Sequence, residues 1–83
     1  MIDHPYMVLV YERRELQQDD HAPCLAAWLR IFAPSPHIAR NRTEFLIRAG
    51  RPPAGPVPYE YPAFGQPDPV AVCAVRIAQE TQT

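Results

Sequence analysis

Proline decides where this chain can hold regular structure. Eleven of its 83 residues are proline, and seven of them (Pro52, Pro53, Pro56, Pro58, Pro62, Pro67 and Pro69) fall between residues 51 and 69. Each proline lacks a backbone N–H and has a fixed φ, so neither a helix interior nor a central strand runs comfortably through that stretch. Pro34 and Pro36 form a second barrier. Helices and strands are therefore expected before, between and after these two proline clusters. A chain this short buries only about 60% of its unfolded surface, so it makes one domain with a thin core. That domain is expected to span 1–83, with an ordered core over about 5–50 and 70–78, a Pro/aromatic loop over 51–69 and a polar tail over 79–83.

Residues 6–13 are rich in β-branched and aromatic types and read as a strand. Both of its alternating faces start apolar, as in a central strand or one covered on each side. Asp19 and Asp20 are N-cap candidates, and Pro23 falls where a first helical turn tolerates proline. Leu25, Trp28, Leu29 and Phe32 then follow an i, i+3, i+4, i+7 stripe, which predicts an amphipathic helix ending at Ala33. Trp28 and Phe32 are assigned to its core face, where truncation to Ala would cost roughly 3–5 kcal/mol. Residues 43–48 alternate as a second strand that Gly50 ends, and residues 70–78 form a nearly all-apolar third. The simplest solution is a two-layer α+β domain with one amphipathic helix packed on a three-stranded sheet. A fourth edge strand would arise if residues 57–61 paired, against which Pro56, Pro58 and Pro62 argue.

The charge balance excludes a global attraction for polyanions. The formal net charge is −1, and all eight basic residues are Arg. With the Ala and Pro content, that bias suggests a GC-rich genome, and small size with few catalytic residues adds the option of a bacterial, phage or mobile-element origin. Charge is uneven along the chain: residues 1–39 sum to −2, residues 40–51 to +3 and residues 52–83 to −2. No apolar run approaches the roughly 20 residues needed to cross a bilayer. The first residues lack a basic segment followed by an apolar one, so a cytoplasmic protein is expected.

Few residues can carry covalent or metal chemistry. Cys24 and Cys73 are far apart and read as reduced, buried small hydrophobes. His21 and Cys24 make an H-x-x-C pair that His4, His37 or Cys73 would have to complete, whereas zinc sites use four converging ligands. Ser35 is the only serine and lies between two prolines, outside any nucleophile elbow. The three glycines form no phosphate-binding loop. Asp19 and Asp20 are better explained by capping than by acid–base work. The expectation is no cofactor, no metal site and no enzymatic activity, with a thiol or metal site as the third alternative, which metal analysis of purified protein would settle.

Two segments suit binding. Tyr59, Tyr61 and Phe64 place three rings on the proline-rich loop. Aromatic residues carry much of the binding energy at interfaces, and proline pre-orders such a loop. The same rings would alternatively fold back to cover the open sheet face. A Tyr59, Tyr61, Phe64 triple Ala variant separates these roles by keeping or losing the fold. Arg40, Arg42, Arg48 and Arg51 form the second segment, expected as a turn entering a strand, with Arg paired to Glu44 and nearby carboxylates. They point to the same protein partner or, as the alternative, to phosphates of a nucleic acid. The functional expectation is a non-enzymatic accessory, regulatory or inhibitor protein that docks on a larger protein complex. Dimerisation is a further expectation, because a small core gains from covering an exposed sheet face.

Overall fold

The structure is a computed structural model that describes residues 2–17, 25–53, 55–62 and 65–78. Its elements run β1 (His4–Glu12), a single-turn α1 (Arg13–Leu16), β2 (Ala27–Ala33), α2 (Pro36–Arg48) and β3 (Pro69–Arg76). The fold is α+β: α2 packs on a three-stranded antiparallel sheet of order β2-β1-β3. The strand expected over 6–13 is β1, and it is central. Both neighbours run antiparallel to it and therefore parallel to each other. They are joined through α2, a split β-α-β arrangement with β1 inserted between its strands.

The helix lies elsewhere than the apolar stripe predicts. Residues 27–33 form strand β2, in which Ala27, Leu29, Ile31 and Ala33 are buried and Arg30 and Phe32 are exposed. Nearly every position from Leu25 to Ala33 is apolar, so a 3.6-residue and a 2-residue period fit it equally well. Pairing settles the choice. Tyr6 stands opposite Ile31, Val8 opposite Leu29 and Val10 opposite Ala27, so each of these buried residues of β2 meets one of β1. Trp28 and Phe32, assigned to the core by the helical reading, point to the other face. Phe32 is 52% exposed. The expected caps Asp19 and Asp20, with His21, Pro23 and Cys24, lie outside the described residues.

The strand expected over 43–48 is instead the second half of α2. Ser35 is its N-cap and its Oγ accepts from the Ile38 N–H at 3.3 Å, while Pro36 occupies the first turn, the one helical site that needs no N–H. Pro36 thus starts a helix rather than only ending an element. Ala39, Thr43 and Ile47 recur every four residues and form the buried stripe, and the Thr43 hydroxyl donates to the Ala39 carbonyl at 2.8 Å. Phe45, inward in the strand reading, is 71% exposed. The helix stops at Gly50, whose φ of 77° is open to glycine at little cost. There the Gly50 N–H bonds the Ile47 carbonyl at 3.0 Å and the Arg51 N–H bonds the Leu46 carbonyl at 2.8 Å, a Schellman closure.

The third strand falls where the sequence places it. It carries a bulge: Val10 pairs with Ala71 but Leu9 pairs with Cys73, leaving Val72 as the extra residue. Residues 57–61 do not add a fourth strand. Val57 makes one isolated antiparallel bridge to Trp28, so the proline-rich segment meets the outer edge of β2 at that point. Gly55 permits that approach, since a Cβ there would stand 2.9 Å from Leu29 Cδ2 and 3.1 Å from the Trp28 carbonyl oxygen.

Candidate interaction face

The sheet has one covered face and one open face, and the two follow from strand alternation. Tyr6, Val8 and Val10 of β1, Ala27, Leu29, Ile31 and Ala33 of β2, and Ala71 of β3 join Ala39 and Ile47 of α2 in a single buried cluster. The cross-strand partners that point the other way are Met7 with Arg30 and Val75, and Leu9 with Trp28 and Cys73. Phe32 extends this second face at one end, and Tyr11 with Val70 at the other. No described helix packs on it. The face is apolar except for Arg30, whose guanidinium carbon sits 5.5 Å from the Phe32 ring centroid. Arg30 has no ion pair with any described carboxylate. Val75 is 47% exposed, whereas Met7, Leu9, Tyr11 and Trp28 are of intermediate burial.

The arginine segment lies on a helix, not on a turn into a strand, and half of it is already engaged. Arg42 donates to the Phe32 carbonyl at 2.9 Å and approaches Asp3 at 3.6 Å. Arg48 reaches both Asp68 Oδ1 and the Pro69 carbonyl at 3.4 Å. Both side chains therefore tie α2 to the sheet. Glu44, the expected partner of the arginines, instead accepts the Ala71 N–H at 2.6 Å. Arg40, within α2, and Arg51, just beyond its C-terminal end, have no side-chain partner among the described residues.

The aromatic loop divides. Tyr59 is 4% exposed and belongs to the core cluster, with its hydroxyl buried and without a hydrogen-bond partner among the described residues. Tyr61 packs edge-on against it, with centroids 5.6 Å apart, and is 46% exposed. Phe64 lies outside the described residues. Tyr61 and Pro62 also line a shallow depression of about 430 Å³ with Glu12, Arg14, Glu15 and Glu60. Glu12 is committed to the fold: one oxygen accepts the Asp68 N–H at 3.1 Å.

Other chemistry-bearing residues are dispersed. Ser35 is occupied as a cap. Cys73 is a free thiol on the open face, and His4 Nδ1 meets the Arg76 guanidinium at 2.9 Å. Among the described residues no group of three His, Cys, Asp or Glu side chains could hold a metal ion, and no helix is long and apolar enough to cross a membrane. The chain matches no known family model, no curated protein and no solved structure.

Alternation could have revealed the open face in advance. Trp28, Arg30 and Phe32 share a parity in sequence, and a strand over 27–33 places them together. The helical spacing of the same residues hid that signal.

Proposed function

We propose that this chain is a non-enzymatic docking module that binds a protein partner through the open face of its sheet. The observation that carries this reading is an apolar sheet face whose only charge, Arg30, has no carboxylate among the described residues. Water against Leu9, Trp28, Phe32 and Val75 is unfavourable at about 25 cal/mol per Å² of apolar surface, and a partner would remove it. The reading implies that partner's chemistry. It must be apolar at its centre and present an Asp or Glu to Arg30, because an arginine left unpaired in a desolvated interface is costly. Arginine stacked on an aromatic ring is also the kind of anchor on which interfaces depend. An accessory, regulatory or inhibitory role on a larger protein fits a module of this size. Arg40 and Arg51 leave the nucleic-acid alternative with two unengaged cations, and salt separates the two readings.

Trp28 is the only tryptophan and lies on this face, so its fluorescence reports occupancy directly. Tagged protein is used to isolate partners after nuclease treatment, and the purified candidate is titrated against Trp28 emission. The reading expects a blue shift on binding, at least a tenfold loss of affinity in Arg30→Glu, and binding retained in an Arg40→Glu, Arg51→Glu variant. A partner that binds Arg30→Glu as well as wild type, or one lost with nuclease or moderate salt, overturns it.

A further inference from the structure

Sheet edges are liabilities, and among the described residues parts of both outer edges are guarded while the second half of β3 lacks such cover. Along the outer edge of β2, Val57 bridges Trp28, the Gly55 backbone closes in on Leu29 and Arg42 takes the Phe32 carbonyl. On the first half of β3 the cover comes from α2, where Glu44 takes the Ala71 N–H and Arg48 reaches the Pro69 carbonyl. The second half of β3, from Val72 to Arg76, has no such cover among the described residues. Val72, Cys73, Ala74 and Val75 carry no charge and no proline, the usual means of blunting an edge. Val72 and Val75 are each 47% exposed.

The bulge determines which backbone groups this stretch presents. The Ala71 N–H points away from β1, since it is held by Glu44, whereas the Ile77 N–H points inward and bonds the Pro5 carbonyl at 2.9 Å. With Val72 as the extra residue, alternation directs the N–H and C=O of Ala74 and Arg76 outward. The open stretch is bounded by the capped Ala71 at one end and the strand terminus at Arg76 at the other, and its midpoint is Ala74.

We infer that this segment pairs with the same segment of a second copy, antiparallel about a twofold axis at Ala74. The two copies form one continuous six-stranded sheet. Ala74 then exchanges both of its backbone hydrogen bonds with its counterpart, the self-complementary contact that a twofold interface requires. Arg76 stands opposite Val72 of the second copy, so no like charges face each other. A register centred on Arg76 would oppose two arginines and is disfavoured. Pairing cannot extend past Val72, because Glu44 and Arg48 occupy the edge beyond it. The paired segment is short and falls below the roughly 800 Å² per partner of a stable interface, so the dimer is weak and concentration-dependent. This inference concerns the strand edge and stands independently of what docks on the open face.

The test combines sedimentation over a wide concentration range with a cross-link. Wild type is expected to shift from monomer to dimer as concentration rises. Ala74→Pro removes an outward N–H without touching the bonds to β1, and two such losses per dimer should weaken association at least ~10-fold while circular dichroism is unchanged. For the cross-link, Val75→Cys is made in a Cys24→Ala background. Position 75 faces Cys73 of the second copy in a non-hydrogen-bonded pair, where the Cα separation of about 4.5 Å suits a disulfide. An added copper–phenanthroline oxidant takes two electrons per bond, and the two thiol protons leave to buffer. The product is a covalent dimer, and peptide mass shows whether Cys73 of one copy is joined to the thiol introduced at position 75 of the other. A wild type that stays monomeric to millimolar concentration overturns the inference. So does a dimer that Ala74→Pro leaves intact, or one in which position 75 forms no bond to Cys73. If Ala74→Pro unfolds the chain, the cross-link alone decides.

Discussion

Leu29 and Phe32 are three residues apart on β2, and their side chains do opposite work. Leu29 is fully buried against Val8, while Phe32 is half exposed on the open face beside Arg30. Leu29→Ala should destabilise the protein by about 2–5 kcal/mol, because removed methyl groups leave a void in a core this thin. Phe32→Ala should cost less than about 1 kcal/mol, as surface changes do. Urea unfolding of the two variants checks the pair. A larger loss at Phe32 than at Leu29 would reverse the assignment of the two sheet faces. The same residue-level division applies to the loop rings, where Tyr59 fills the core and Tyr61 reaches solvent. A triple Ala variant of Tyr59, Tyr61 and Phe64 therefore removes a core side chain along with surface ones, and Tyr61→Ala is the cleaner probe of the loop surface.

At the scale of elements, α2 owes its start to one hydroxyl. Ser35 satisfies the Ile38 N–H, and Pro36 supplies a preset φ in the first turn. Ser35→Ala is expected to lower stability by about 1 kcal/mol, and Ser35→Asp to keep most of it, since an Asp side chain caps equally well. Thermal unfolding followed at the helix signal measures both. Equal losses in the two variants would show that capping is not what Ser35 contributes. The helix also guards the β3 edge, with Glu44 and Arg48 bonding backbone groups that a strand would otherwise present. Covering one half of β3 and not the other is an element-level property, because both guards lie one helical turn apart on the same helix.

For the molecule as a whole, Asp68 connects parts distant in sequence. Its carboxylate meets Arg13 at 2.9 Å and Arg48 at 3.4 Å, and its N–H bonds Glu12. The end of the proline-rich segment is thereby tied to the β1–α1 junction and to α2. Both ion pairs are about half exposed, so each is worth no more than about 1 kcal/mol and is screened by salt. Asp68→Ala should lower Tm modestly at low ionic strength, and the difference from wild type should shrink in high salt. A deficit that persists in high salt would mean that Asp68 acts through its backbone position rather than its charge.

Much of this architecture was legible in the sequence, though by a partly wrong route. The proline clusters, the strands at β1 and β3 and the stop at Gly50 follow from local chemistry, whereas the count of one principal helix with three strands is matched only because the two middle segments exchange roles. Pro, Gly and β-branched residues act on their own backbone wherever they sit. Which of the two middle segments was helical did not follow. The run from Leu25 to Ala33 is apolar at nearly every position, so its period is ambiguous, and pairing with β1 in one register decided it as a strand. The Ser35–Pro36 start was present in the sequence, but reading Pro36 only as a breaker concealed it. The arginines were visible as a charge cluster, yet their roles depend on Phe32, Asp68 and Pro69, ten to twenty-one residues away. The sequence determined by itself where backbone structure must break and what each segment could become. Only the tertiary structure decided which side chains met a partner, because burial and ion pairing depend on proximity that chain folding creates.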